Sequence, residues 1–300
     1  MGLGRAFGRI PVVRRDVRVM DLVRRVPAMR DAAARARADG KSIGFVPTMG
    51  FLHEGHVSLV RRVKARAGLT VVSIFVNPAQ FGPGEDFARY PRDLARDCDL
   101  LADEGVEIVF APQVEEIYPP GAATFVEVAG LSDTLEGASR PRHFRGVATV
   151  VLKLFQIVTP HLAAFGQKDA QQSLIIRRMV RDLMLDIEIL VAPTKREEDG
   201  LALSSRNVYL SPEERRAARA IPRGLEAVQA AVDAGERDAA ALLAAARRVI
   251  EAEPLLRIDY LQLVDSERLA PLSRADGEML LVAAIFAGRT RLIDNLPLRA

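Results

Sequence analysis

Short apolar runs alternate with stretches whose apolar positions recur at helical spacing along much of this chain. Residues 43–46, 70–75, 107–110, 161–165 and 187–191 read as buried strands, and 55–67, 94–104, 147–159 and 170–182 as helices. An amphipathic stretch over 21–39 predicts a further helix, closed by Gly40. Within 147–159, Val147, Val150, Val151, Leu154, Phe155 and Val158 fall on one stripe, which suits core packing. Strands alternating with helices predict an α/β fold, a doubly wound parallel sheet covered on both faces. Ligands of such sheets gather beyond the carboxyl ends of the strands.

The pattern changes after Ser211. Two Ala- and Arg-rich helices, 212–234 and 238–253, precede three strand-like runs at 258–264, 279–286 and 290–295. Asp199-Gly200 marks a turn just before this change. The expected organisation is a larger domain over 1–193 and a smaller C-terminal α+β domain over 194–300.

One segment carries most of the chemistry. Pro47-Thr48-Met49-Gly50-Phe51-Leu52-His53-Glu54-Gly55-His56 joins the first buried run to a helix start. Unpaired N–H groups at a helix N-terminus attract anions, and the glycines admit a ligand close to the backbone. His53 and His56 share a face of that helix start, so they can meet a phosphate or simply cap the helix. Zinc fits poorly, because His53-Glu54-Gly55-His56 is one residue short of H-E-x-x-H, and His143 and His161 lack partners at ligand spacing.

The His-x-Gly-His turn after a first strand resembles nucleotidyl-transferring enzymes related to class I tRNA synthetases. The longer string resembles one branch, the pantoate–beta-alanine ligase (pantothenate synthetase) family. Further segments in matching order carry the resemblance: Phe75-Val76-Asn77-Pro78-Ala79-Gln80-Phe81, Leu135-Glu136-Gly137-Ala138-Ser139-Arg140-Pro141, Phe165-Gly166-Gln167-Lys168-Asp169-Ala170-Gln171-Gln172 and Asp199-Gly200-Leu201-Ala202-Leu203-Ser204-Ser205-Arg206-Asn207. It runs from about Asp21 to the C-terminus. The resemblance implies a Rossmann-like sheet that binds ATP and pantoate, with the C-terminal domain as a lid. The implied activity joins D-pantoate to beta-alanine through a pantoyl adenylate, releasing pyrophosphate and then AMP. The nearest rival is a nucleotidyltransferase that keeps the nucleotide on its product. It would share the histidine turn without needing the Gln80 and Gln172 segments.

Under this resemblance His56 is the catalytic histidine, and His53 and Lys168 join it in meeting charge on the phosphates. Imidazole titrates near neutrality, so either histidine could also donate a proton. Met49, Gly50, Gly166, Asp169, Lys195, Leu203, Ser204, Ser205 and Arg206 are the remaining ATP-binding candidates. Two hydroxyls and a forked guanidinium suit a triphosphate. Lys195 stands where an apolar residue is common in the family, and Gln167 where glutamate is common. Gln80, Gln172, Asn77 and Arg140 are the candidates for pantoate and beta-alanine, since carboxamides offer donors and an acceptor to a small hydroxy acid. Glu136 could orient a ligand group. Such ATP chemistry calls for Mg²⁺, held mostly by substrate phosphates. Asp97 could add a carboxylate or could be a solvated helix acid, which leaves the metal ligand open.

Composition adds limits. Hydrophobic residues make up 49% and charged residues 27%, an ordinary soluble globular balance. The formal charge of +3 comes without an aromatic-interleaved basic patch, so nucleic acid is not an expected partner. Cys98 is the single cysteine and suits a reducing, cytoplasmic setting. The longest apolar run, 279–288, is too short to span a membrane. Residues 1–15 are basic and lack the apolar core of a secretory signal, which suits a frayed terminus. A homodimer is expected from the resemblance alone.

Overall fold

The computed structural model describes residues 20–300, so the expectation for 1–15 lies outside the described residues. Six parallel strands form the first sheet: β1 (Asp21–Val23), β2 (Ile43–Thr48), β3 (Leu69–Ile74), β4 (Ile108–Phe110), β5 (Leu162–Gly166) and β6 (Glu188–Ala192), in the order β1-β4-β3-β2-β5-β6. Its crossovers are α1 (Val26–Ala38), α2 (Glu54–Lys64), α3 (Leu94–Asp103), the short turns α4 (Val114–Ile117) and α5 (Glu136–Ser139), α6 (His143–Val158) and α7 (Ala170–Asp182). The C-terminal part has helices α8 (Pro212–Ala218), α9 (Ala220–Asp233) and α10 (Ala239–Ile250). They cover an antiparallel sheet of β7 (Leu256–Asp265), β8 (Glu278–Ala287) and β9 (Thr290–Arg299).

Strand residues in the first sheet alternate between two cores. Phe45, Val71, Ala163 and Phe165 pack with α1, α6 and α7 on one face. Val46, Val72, Val109 and Ala164 pack with α2 and α3 on the other. Burial on both faces is why these strands read as unbroken apolar runs. The C-terminal sheet is also covered twice. Met279, Leu281, Ala283 and Ile285 join the core made with its own helices, while Leu280 and Val282 join the core of the first sheet.

Two expected elements are corrected. The stretch 21–39 is not one helix, because Asp21, Leu22 and Val23 pair with Ile108, Val109 and Phe110, and α1 starts only at Val26 with Pro27 in its first turn. The stretch 212–234 breaks at Arg219 into α8 and α9. Pro222 lacks the N–H that would bond the carbonyl four residues back, so the ladder is interrupted there. In β9, Pro297 is tolerated because that strand is an edge of its sheet.

Candidate active site

The chain moves outward from β2 to β3 and β4 on one side, while β5 and β6 lie on the other. The crevice between the carboxyl ends of β2 and β5 is therefore a topological switch point, the place where such sheets receive ligands. The Met49–His53 loop leaves β2 there, and the Gly166–Asp169 turn leaves its neighbour β5.

The first loop is tightly held. Gly50 has φ +83°, and a Cβ on it would lie 2.9 Å from Ile74 Cγ2 and 3.0 Å from Asp97 Oδ2. Phe51 is also left-handed, with φ +50°. Asp97 supports this conformation from α3, accepting the Phe51 N–H at 2.7 Å and the Leu52 N–H at 2.8 Å. The carboxylate is 1% exposed, and both oxygens are engaged. Asp97 is thus neither a solvated acid nor a free metal ligand but a support for the turn. Burial pushes its pKa up, opposed by those two N–H bonds.

Beyond the turn, both histidines cap α2. His53 Nδ1 accepts from Gly55 N–H at 3.1 Å, and His56 Nδ1 accepts from His53 N–H at 3.3 Å. With each Nδ1 used as an acceptor, the neutral rings carry their hydrogen on Nε2, where it can be donated. The ring centroids are 4.1 Å apart. Burial, then the nearby Lys168 ammonium, lowers the His53 pKa to about 4. Burial, His53 and Lys168 hold His56 well below its ordinary value. Near pH 7 both imidazoles are therefore neutral hydrogen-bond donors, and titration near neutrality does not hold here.

The loop after β3 carries Asn77 and Gln80. Asn77 is 1% exposed, and its carboxamide is spent within the protein. Its Nδ2 donates to Gln80 Oε1 at 3.0 Å and Gly146 O at 3.1 Å, while its Oδ1 accepts from Tyr118 at 2.8 Å. Asn77 thus orients Gln80, whose Nε2 contacts Met49 Sδ at 3.1 Å. Gly146 makes this packing possible, since a Cβ there would lie 2.2 Å from Ala79 O.

Arg140 is held from two sides. It pairs with Glu85 and donates to His143 Nε2 at 3.2 Å. His143 therefore keeps its hydrogen on Nδ1 and donates it to Gln80 O at 2.8 Å. Burial and Arg140 lower the His143 pKa to about 4. Glu136 is buried and paired with Arg291 on β9, with the nearest contact at 2.6 Å.

Past β6, Lys195 O accepts from Leu203 N–H at 2.9 Å, closing a hairpin around Asp199-Gly200. Ser204 Oγ accepts from Arg206 N–H at 3.2 Å, and Ser205 Oγ lies 3.1 Å from Tyr90 OH. The Arg206 guanidinium forks onto Asp86 at 2.9 and 3.0 Å, which raises its own pKa despite burial.

A cavity of about 980 Å³ lies between these loops and the C-terminal sheet. Met49, Gln80, Arg140 and Gln172 line it, as do Lys168, Asp169, Ser204 and Arg206. Gly50, His53, His56, Asn77, Gly166, Lys195, Leu203 and Ser205 are not among its wall residues. The two imidazoles are near enough to Lys168, which does line the cavity, to feel its charge.

Comparison with known proteins assigns the family. The sequence profile of the family described as pantoate-beta-alanine ligase matches residues 21–297. The chain belongs to the pantoate–beta-alanine ligase family. It is 56% identical over 279 residues to the pantothenate synthetase of Moorella thermoacetica, covering 93% of this chain and 99% of that one. The pantothenate synthetase of Roseiflexus castenholzii is 59% identical over 268 residues, covering 89% and 96%. Among solved structures, pantothenate synthetase from Thermus thermophilus has a TM-score of 0.88 at 51% identity, covering 92% of this chain and 99% of that one. The pantoate-beta-alanine ligase of Francisella tularensis, complexed with beta-gamma ATP and beta-alanine, has a TM-score of 0.79 at 34% identity, covering 93% and 97%.

Several residues that shape this candidate site escape sequence reasoning. Glu85, Asp86, Tyr90, His143 and Asn295 reach it through contacts spanning 55 to 128 residues. No local spacing announces such pairs. Gln171 differs, since it adjoins Gln172 in a quoted motif. Its carboxamide accepts from Glu136 N–H at 3.1 Å and donates to Leu131 O and Thr134 O, each at 2.8 Å. It therefore orders the chain before α5.

Proposed function

We propose that this chain condenses D-pantoate with beta-alanine in two ATP-dependent half-reactions. A pantoate carboxylate oxygen attacks the α-phosphorus and pyrophosphate leaves. The beta-alanine amine then attacks the acyl carbon of pantoyl adenylate, and AMP leaves. The observation that carries this reading is the convergence of Lys168, two neutral imidazoles and two glutamines at one switch point.

Phosphoryl displacement of this kind needs positioning and charge neutralisation more than covalent help from the protein. Lys168 supplies positive charge, and His53 and His56 supply Nε2–H donors whose orientation the capping bonds already set. His56 is the catalytic histidine in this reading, and Gln80 and Gln172 hold pantoate. Asn77 acts behind Gln80. Arg140 stands at the carboxylate side of the cavity. Met49, Gly50, Gly166, Lys195 and Leu203 serve the nucleotide chiefly through backbone approach, with Ser204, Ser205 and Arg206 meeting its phosphates. Arg206 would exchange Asp86 for a phosphate oxygen when ATP arrives.

Among the described residues no group of three His, Cys, Asp or Glu side chains could hold a metal ion. That donor set suits a Mg²⁺ carried largely by the nucleotide phosphates, where it would offset their charge. Asp169 is the residue we assign to touch it. Glu85, Asp86, Glu136, Asp259 and Asp294 at the same cavity are each engaged by an arginine, and Glu214 accepts the Ser211 N–H as part of the α8 cap. Asp169 lies 3.8 Å from Lys168, its side chain is 47% exposed, and no arginine among the described residues forms an ion pair with it.

We further assign residues 1–193 as the ATP- and pantoate-binding domain, 194–300 as the lid, a homodimer as the working unit and the cytoplasm as its location. No helix of the described residues is long and apolar enough to cross a membrane. The direct test is pantoate-dependent exchange between ATP and pyrophosphate without beta-alanine. Exchange with pantoate and not with other small hydroxy acids is expected. A protein that binds ATP but exchanges nothing would overturn the substrate assignment.

A further inference from the structure

Strand β9 places a buried carboxamide against the turn that carries Lys168. Asn295 is 4% exposed, and its Nδ2 donates to Gln167 O and Lys168 O, each at 2.9 Å. Its Oδ1 accepts from Gln167 Nε2 at 2.9 Å. Two donors and one acceptor are thus committed to a single turn, the 3₁₀ segment Gln167–Asp169 between β5 and α7. Although Asn295 lines the cavity, these contacts occupy both hydrogens of its amide.

The geometry matters because of what Lys168 is. A lysine is a point charge on a flexible stem, so its aim depends on how firmly its root is held. A planar amide bonded to two successive carbonyls fixes both peptide planes around the Lys168 Cα. The neighbouring Asp294 ties β9 to the other flank of the site through Arg196, at 2.6 and 3.0 Å. The Asn295 backbone N–H also donates to Asp294 Oδ1 at 2.8 Å. The C-terminal sheet therefore grips the turn that roots the phosphate-side lysine.

We infer that Asn295 is a positioning residue that acts through Lys168: it orients the lysine toward the nucleotide phosphates without touching the ligand. This inference rests on the nucleotide reading of the site. A plain structural role, tying one sheet to the other, predicts lower stability with ATP affinity unchanged in the folded fraction. A positioning role predicts an ATP defect that depends on Lys168.

The test is calorimetric ATP binding by the full chain as wild type, Asn295→Ala, Lys168→Ala and the double variant. Pantoate KM is measured in parallel from pyrophosphate exchange. Asn295→Ala is expected to weaken ATP binding about tenfold, on the scale of a lost charge-positioning contact. Pantoate KM should change less than about twofold, and adding Asn295→Ala to Lys168→Ala should cost less than about twofold more. Should Asn295→Ala not fold, the near-isosteric Asn295→Asp, which removes the amide donors, is measured in its place. Unchanged ATP binding, an equal loss in both backgrounds, or failure of both variants to fold would overturn the inference. Absence of ATP binding by the wild-type chain would instead overturn the nucleotide reading.

Discussion

His53 and His56 cap a helix, and in the proposed mechanism the same pair also serves the chemistry. Their Nδ1 atoms cap α2, and this capping presents their Nε2–H groups as donors. His56→Ala should cost about 1 kcal/mol as a lost cap and lower turnover by at least about tenfold. His56→Asn, which keeps a capping acceptor, should recover the stability but not the turnover. Paired urea melts and exchange rates would separate the two effects, and an active His56→Ala would remove His56 from the mechanism. The pH dependence follows from His143, whose folded pKa of about 4 lies below its ordinary 6.5. Between these values the unfolded chain binds more protons than the folded one. The contribution of His143 is therefore complete above pH 6.5 and is lost as pH falls toward 4. His53 and His56 act in the same direction. A His143→Gln variant should flatten the fall in urea midpoint across this window, by at most about 1.4 kcal/mol per pH unit. A slope as steep as wild type would mean that His143 binds its proton equally in the folded and the unfolded chain.

At the scale of elements, α6 and the loop after β3 act as one piece because Gly146 allows contact with Ala79 and Gln80. Gly146→Ala would force that backbone apart and move Gln80. Pantoate use, read as kcat/KM, should fall by at least about tenfold, with the helix content seen by circular dichroism retained. An unchanged kcat/KM would mean that the Gln80 loop tolerates displacement. Most core strands and helices were legible from apolar periodicity because burial on two faces writes continuous runs into a parallel sheet. Asp21–Val23 was not, because a strand of that length shows no period of its own and is defined by its partner β4. The split between α8 and α9 was foreshadowed only by Pro222. Of the site, the histidine turn and Lys168 stood out as motifs, while the buried roles of Asn77 and Asp97 emerge only from who touches them.

Across the whole molecule, the C-terminal sheet works as a wall of the site as well as a cover. Arg291 on β9 holds Glu136 of α5 and Asp259 of β7 together, and Arg140 links Glu136 to Glu85 at the far side of the cavity. Arg291→Leu would leave Asp259 without its ion-pair partner and the buried Glu136 with only the longer 3.5 Å contact to Arg140. It should destabilise the fold by about 3 kcal/mol, read from urea denaturation. Glu136→Gln in the same background should recover part of that loss by removing the buried, under-compensated charge. No recovery would mean that Arg291 contributes through packing alone.

From the chain alone came the order of elements, the parallel α/β class, the histidine turn and the family, because periodicity and contiguous motifs are local and survive without a partner. The tertiary structure decided which acid meets which arginine, which nitrogen of each imidazole holds the hydrogen, and which carboxamides face the cavity or support its wall. Those outcomes depend on burial and on contacts between residues far apart in the chain, and neither quantity exists until the sheet has closed around them.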